Sequence, residues 1–179
     1  TGTPVRAVDT HAHVFHRALN MPDPRRAPSG YDAPPEAYLR LLDAHGIARG
    51  VVVQPSFLAT DNRYLVDALR RYPDRLRGIA VVDPDVADTV LIELAASGVV
   101  GIRLNLIGLA LPNLTVEPWR TLLSNVAKRG WQVEVHREAR DLPQIVTPLI
   151  DAGVNVVVDH FGRPDPKLGV DDPGLRYLL

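Results

Sequence analysis

The feature that most constrains the fold is a repeat of two segments: a short run of β-branched apolar residues, then a stretch with apolar residues every three or four positions. The apolar runs predict strands at Val5–Val8, Gly50–Val53, Leu76–Val82, Val99–Leu104, Trp131–Val135 and Val154–Val158. The periodic stretches predict helices at Pro35–His45, Asn62–Tyr72, Val86–Ala96, Glu117–Arg129 and Asp141–Ala152. A Gly follows the predicted end of four helices, where a left-handed residue is favoured. This strand–helix alternation indicates right-handed βαβ crossovers and therefore a parallel sheet.

Two parallel architectures compete, and the ends of the strands distinguish them. A doubly wound nucleotide-binding sheet has a glycine-rich turn after its first strand, but here that strand ends in Asp9-Thr10-His11-Ala12-His13. Polar residues also follow the other strands: Gln54, Ser56, Asp83, Asp85, Arg103, Asn105, Glu134, His136, Asp159, His160 and Arg163. In a (β/α)₈ barrel the carboxyl ends of all strands meet at one mouth. The sequence therefore predicts an α/β fold of the (β/α)₈ TIM-barrel type.

The length of the chain bears on how much of such a barrel is present. With 179 residues, 46% of them hydrophobic, the chain suits one domain over residues 1–179. Only six strands are predicted, whereas a barrel has eight βα units in about 250 residues. Gly169–Leu179 is interpreted as the opening of a sixth helix, and the last two βα units are expected to be absent. Two sheet edges would then be exposed, which favours pairing with a second copy as a homo-oligomer.

Composition excludes several classes of function. A net charge of −1 and a pI near 6.6 leave no basic excess for binding a nucleic acid. The absence of Cys excludes disulfides, thiolate nucleophiles and Cys zinc sites. No apolar run reaches the roughly 18 residues that predict a membrane span, and no signal peptide is recognisable. We therefore expect a cytoplasmic protein, and its Arg-, Ala- and Pro-rich composition is typical of a GC-rich bacterial source.

Histidines form the first group of candidate site residues. His11 and His13 are two positions apart on an extended strand, so both rings are expected on one side, where Asp9 could accept a hydrogen bond. His136 and His160 end two later strands. Four imidazoles at strand ends could bind one metal ion or polarise one substrate oxygen. The two remaining histidines, His16 and His45, are interpreted as structural.

Arginines form the second group. Arg103 ends a predicted buried strand, and Arg163 follows His160 in a Gly-Arg-Pro turn. A guanidinium at either place could bind a carboxylate in bidentate fashion, with neutral hydrogen bonds from Tyr31 and Ser56. Arg103 could instead be paired with a carboxylate of the barrel itself, such as Asp83.

These motifs together resemble a known family. The segment Val8-Asp9-Thr10-His11-Ala12-His13, with His136 and His160 on later strands, resembles the amidohydrolase superfamily, amidohydrolase 2 type. Further segments are similar to the branch of 2-pyrone-4,6-dicarboxylate lactonase and related sugar lactonases: Tyr31-Asp32-Ala33-Pro34, Val53-Gln54-Pro55-Ser56, Asp61-Asn62-Arg63-Tyr64, Gly101-Ile102-Arg103-Leu104-Asn105 and Asp159-His160-Phe161-Gly162-Arg163-Pro164.

The resemblance implies a hydrolase that opens a small carboxylated lactone with activated water. His11 and His13 would polarise the lactone carbonyl, and His136 and His160 would line the pocket. The substrate-binding residues would be Tyr31, Ser56, Arg103 and Arg163. In this family an Asp at the end of the eighth strand activates the water, and that residue is expected beyond Leu179.

Metal dependence and reaction type have alternatives. The lactonase branch works without a metal, and Arg103 on the fourth strand favours a site without one, because a cation beside a dication is costly. Zinc held by His11, His13, His136 and His160 is the alternative. An alternative within enzymes is a zinc-dependent decarboxylase or hydratase that acts on an aromatic catabolite and uses the same barrel. A non-catalytic barrel that binds a sugar acid is the alternative outside enzymes.

Overall fold

The structure, a computed structural model, describes residues 7–22 and 30–179 and consists of alternating strands and helices. The strands are β1 (Val8–Ala12), β2 (Arg49–Val53), β3 (Leu76–Ala80), β4 (Val99–Asn105), β5 (Gln132–His136) and β6 (Asn155–Val158). The helices are α1 (Pro35–Ala44), α2 (Arg63–Arg71), α3 (Asp88–Ala96), α4 (Trp119–Lys128), α5 (Leu142–Asp151) and α6 (Pro173–Leu178). The predicted start of the first strand, at Val5, lies outside the described residues. The predicted α/β class with parallel strands is confirmed.

The helix ends agree with their sequence signals. α1 starts with Pro35, whose missing N–H costs nothing in the first turn, and buries Tyr38, Leu39 and Leu42. The glycines expected after four helices all have positive φ: Gly46, Gly98, Gly130 and Gly153. Local periodicity and glycine placement therefore account for the boundaries to within about two residues.

The chain forms two compact units. The first contains the described residues up to Val82 together with Thr89–Val100. In it β1 pairs in parallel with β2, and β2 with β3. Its core includes Val52, Leu65, Leu69 and Ile79, all fully or almost fully buried. The close packing of α1 on β2 requires a glycine at position 50, because a Cβ there would clash with the side chain of Tyr38.

The second unit contains Asp83–Asp88 and Gly101–Leu179. In it β4 pairs in parallel with β5, and β5 with β6. The register places Arg103 beside Glu134 and Asn105 beside His136. Ile102, Val133 and Ile145 are fully buried in its core. Polar side chains of neighbouring strands are therefore adjacent at the carboxyl ends of β4 and β5.

Membrane-spanning segments are absent from the part of the chain that the structure describes. None of the helices there has both the length and the apolar character needed to cross a bilayer.

Candidate active site

The first unit holds a histidine pair at the end of β1. The rings of His11 and His13 meet edge to face with centroids 5.1 Å apart. Asp9 accepts the backbone N–H of His11 at 3.2 Å. His13 Nδ1 lies 2.7 Å from the carbonyl oxygen of Val53, at the end of β2. A carbonyl only accepts hydrogen bonds, so Nδ1 of His13 carries a proton, and Nε2 of the neutral ring is a hydrogen-bond acceptor.

Tyr31 and Ser56 lie beside a small aromatic cluster in the same unit. Phe15 packs edge to face on Phe57, and Tyr31 packs on Phe15 with ring centroids 5.4 Å apart. Ser56 begins the 3₁₀ turn Ser56–Leu58, which carries Phe57. Tyr31 is 58% exposed. The cluster thus connects the two residues that were predicted to give neutral hydrogen bonds to the substrate.

The two histidines interpreted as structural have local partners. His16 lies 3.5 Å from the carboxylate of Asp32. His45 follows α1, and its Nδ1 lies 2.9 Å from the carbonyl oxygen of Leu41. These contacts are those of a loop and a helix end and need no ligand.

The second unit contains a buried ionic group at the ends of β4, β5 and β6. Arg103 donates to Oδ2 of Asp159 from Nε at 3.0 Å and from Nη2 at 2.6 Å. Its Nε also lies 3.3 Å from Oε1 of Glu134. All three side chains are at most 3% exposed. Arg103 is therefore paired with a carboxylate of the protein, as the alternative interpretation held, but with Asp159 and Glu134 rather than Asp83.

Two buried carboxyl groups close to each other cannot both ionise easily, even beside a guanidinium. Burial raises the pKa of Glu134 to about 8, and the negative charge of Asp159 adds to the effect. Asp159 has the shorter contacts with Arg103, so Glu134 is the carboxyl that holds a proton at neutral pH. Glu134 can then act as a hydrogen-bond donor in this group.

We expect the stability to depend on the ionisation of Glu134. Between its ordinary pKa of 4.5 and about 8 the folded state keeps a proton that the unfolded state has lost. The free energy of unfolding should therefore fall as pH rises through this window, and Glu134→Gln should remove that part of the fall. Urea unfolding between about pH 5 and pH 8 measures how the free energy of unfolding changes with pH. Glu93→Gln is the control, because Glu93 is exposed. Parallel curves for wild type and Glu134→Gln would contradict the expectation.

His136 lies at the centre of the polar contacts in this unit. Its Nδ1 is 3.2 Å from Asn105 Oδ1 and 3.4 Å from Arg103 Nη2. Its Nε2 is 3.3 Å from Arg163 Nη1. Burial, and then the charge of Arg103, lower the pKa of His136 to about 3. The ring is therefore neutral at any physiological pH.

A left-handed turn after β6 carries His160 and Arg163. Four consecutive residues have positive φ: His160 at 51°, Phe161 at 53°, Gly162 at 72° and Arg163 at 47°. Left-handed backbone costs about 1–2 kcal/mol for each residue with a Cβ. The turn sets the His160 ring edge to face on His136, with centroids 4.7 Å apart. Strain of this kind is typical of positions where a side chain is held for function.

Phe161 offers a test of that strain. Its side chain is 89% exposed, so replacing it removes little packing. We expect Phe161→Asn to raise the free energy of unfolding by about 1 kcal/mol, because Asn tolerates the left-handed conformation better. Val170→Asn is the control, since Val170 is also exposed but is not left-handed. Equal effects of the two substitutions in urea unfolding would argue against strain at Phe161.

Sequence comparison with known families decides what kind of protein this is. The family model described as amidohydrolase matches residues 8–179. The chain belongs to the amidohydrolase family. The predicted resemblance is thus confirmed over almost the whole chain.

Three relatives show where in the amidohydrolase family the chain lies. It is 37% identical to a 2-pyrone-4,6-dicarboxylate hydrolase of Comamonas testosteroni, over 98% of this chain and 58% of that protein. It is 31% identical to a 4-sulfomuconolactone hydrolase of Hydrogenophaga intermedia, over 96% of this chain and 57% of that protein. A crystal structure of a probable 2-pyrone-4,6-dicarboxylic acid hydrolase from Acinetobacter baumannii, with citric acid bound, matches with a TM-score of 0.91 and 43% identity. That match covers 96% of this chain and 64% of the other, so the chain spans less than two thirds of each of these relatives.

The contacts of His136 bear on whether the amidohydrolase site could bind a metal ion. A zinc site of His11, His13, His136 and His160 needs an available nitrogen on each ring. Both nitrogens of His136 face other side chains, and two guanidinium groups lie within 3.4 Å of them. A dication there would have to displace Arg163 and would face the charge of Arg103. His136 therefore does not fit the four-histidine zinc set.

Three residues of this amidohydrolase site were not among the predicted site residues. Asn105 is the last residue of β4, Glu134 lies within β5, and Asp159 directly follows β6. Each of them contacts Arg103 or His136. The sequence marks all three by one signal, a polar residue at the end of an otherwise apolar run. That signal marks a position but does not identify the partner.

Proposed function

We propose that the protein hydrolyses a small lactone that carries at least one carboxylate. The observation that carries the proposal is the exposed guanidinium of Arg163 held against the neutral ring of His136, in a chain similar to two proteins named as lactone hydrolases. An accessible guanidinium suits an anionic substrate, and both relatives are named for anionic lactones. The chain is proposed to be part of a (β/α)₈ barrel, whose strand ends all face one mouth.

Substrate binding is assigned first to Arg163. Its guanidinium would bind the carboxylate of the lactone, with Tyr31 and Ser56 donating to other oxygens. Arg103 was predicted to make such a contact as well. Its burial with Asp159 and Glu134 favours a supporting role, in which it fixes the carboxyl groups and the ring of His136 around the ligand.

The chemistry is assigned to the imidazoles. His11 and His13, the latter with a second proton on Nε2, would donate to the lactone carbonyl oxygen and stabilise the negative charge that develops on it. His136 and His160 are proposed to contact the substrate. The oxygen of a water molecule adds to the carbonyl carbon and the ring C–O bond breaks. The proton that the water loses is passed on to the released ring oxygen, which gives a hydroxy acid. A carboxylate beyond Leu179 is proposed to accept the proton of the water.

No metal is needed for this mechanism. The contacts of His136 with Arg103 and Arg163 support a site that stabilises charge with cations of the protein instead. Metal analysis of the intact protein, purified without chelator, tests this point. Near-stoichiometric zinc that is lost together with activity would overturn it.

The substrate assignment is tested by kinetics on the intact protein. Hydrolysis of 2-pyrone-4,6-dicarboxylate is compared with that of its dimethyl ester, which lacks the anionic groups. We expect Arg163→Gln to raise KM for the dicarboxylate about tenfold or more, because a charge-assisted hydrogen bond is lost. Arg120→Gln, on the exposed face of α4, is the control. Hydrolysis of the ester as fast as the dicarboxylate, or no hydrolysis of any anionic lactone, would contradict the proposal.

A further inference from the structure

The side chain of Asn105 meets His136 as a direct result of sheet register. Asn105 is the last residue of β4 and His136 the last of β5, and the parallel ladder pairs them. The backbone N–H of Leu106 donates to the carbonyl oxygen of His136 at 2.9 Å and secures this pairing. Backbone pairing of the two strands therefore fixes the positions of Asn105 and His136, whose Oδ1 and Nδ1 atoms lie 3.2 Å apart.

The protonation of His136 follows from its partners. Arg163 Nη1 lies 3.3 Å from Nε2, and a guanidinium has donors only. Nε2 must therefore accept, and the proton of the neutral ring must be on Nδ1. The group that faces Nδ1 must then be an acceptor, which fits the oxygen of Asn105.

The opposite tautomer satisfies fewer of these groups. With the proton on Nε2, two donors would face each other at Arg163, and Asn105 Oδ1 would face a lone pair. In exchange, Nδ1 could accept a hydrogen bond from Arg103 Nη2, which lies farther away at 3.4 Å. At that distance the hydrogen bond would be weaker than those that the other tautomer makes with Asn105 and Arg163. The three distances at the ring thus favour one tautomer.

We propose that Asn105 is a positioning residue that keeps the proton of His136 on Nδ1, so that Nε2 holds the guanidinium of Arg163 in place for the carboxylate of the substrate. The chain of contacts runs from Asn105 through His136 to Arg163 and lies entirely within the second unit. The role toward the substrate rests on the proposed function, whereas the tautomer does not. Asn105 thereby acts on substrate affinity without touching the substrate.

The tautomer is measured by nitrogen–proton correlation spectra of the intact protein containing isotope-labelled histidine. The signals of His136 are assigned by their loss in His136→Gln. We expect wild type to show a protonated Nδ1 and an unprotonated Nε2. Asn105→Leu, which has no acceptor, should move the population toward a protonated Nε2, and Asn105→Asp, which keeps an acceptor, should restore the wild-type pattern. Asn105→Val serves if the leucine variant does not fold.

Two spectral results would overturn the inference: a protonated Nε2 in wild type, or the same tautomer in wild type and the leucine or valine variant. If Asn105 acted on stability alone, its replacement would leave the tautomer of His136 unchanged. The spectra therefore distinguish a positioning role from a purely structural one.

Kinetics test whether Asn105 affects substrate binding through Arg163. We expect Asn105→Leu to raise KM for an anionic lactone about three- to tenfold with little change in kcat, since a misplaced guanidinium binds the carboxylate less well. The control is Asn155→Leu, an exposed position at the amino end of β6. A loss of kcat at constant KM would overturn the link. If the intact protein hydrolyses no lactone, the proposed function fails, and the spectra still decide the role of Asn105.

Discussion

Replacement of His11 by alanine is expected to lower kcat of the intact protein for a carboxylated lactone at least about a hundredfold. The physical reason is the loss of the donor that we propose for the oxygen on which negative charge develops, for which factors of about 10²–10³ are typical. His11 stands at the carboxyl end of β1 beside His13, whose ring is fixed through the carbonyl of Val53. KM should change much less than kcat, because the interaction strengthens mainly in the transition state.

A matched substitution separates catalysis from a general effect of losing an imidazole. His45→Ala removes an exposed ring that bonds to a backbone carbonyl at the end of α1, and it should leave both kinetic constants within about twofold. Circular dichroism confirms that both variants fold. Unchanged turnover in His11→Ala would remove this residue from the mechanism.

Replacement of Arg103 by methionine is expected to cost the largest amount of stability. Methionine keeps most of the volume but removes the cation between Asp159 and Glu134, two carboxyl groups that are almost completely buried. Breaking a buried ionic pair from one side costs about 3–5 kcal/mol, since the remaining charge keeps its desolvation penalty. Urea unfolding near neutral pH measures the loss.

The control for Arg103 is an arginine of the same unit at the surface. Arg140 is 79% exposed and lies 3.8 Å from Asp141, so Arg140→Met should change the free energy of unfolding by less than about 1 kcal/mol. If Arg103→Met cost no more than Arg140→Met, the contacts of Arg103 with Asp159 and Glu134 would not stabilise the fold.

Local patterns in the sequence determined much of the fold and part of the site. Apolar runs and helical periodicity predicted β2 to β6 and the helices between the strands, because these signals depend on neighbours within a few residues. The first strand was expected to end at Val8, but β1 continues to Ala12, beyond its apolar run. Position at a strand end was enough to select His136, His160 and Arg163, which do contact one another in the second unit. The family resemblance then indicated the chemistry, and the amidohydrolase match confirmed the family.

Only the tertiary structure decided which groups pair and in which state. Arg103 binds Asp159, 56 positions away, rather than Asp83, because β-sheet register and side-chain direction bring those two side chains together. The proton on Nδ1 of His136 and the raised pKa of Glu134 depend on donors and charges from other strands and on burial. The left-handed backbone of His160, Phe161 and Arg163 runs against the local preference of those residues. Such features are set by contacts between distant segments, which no pattern of neighbouring residues specifies.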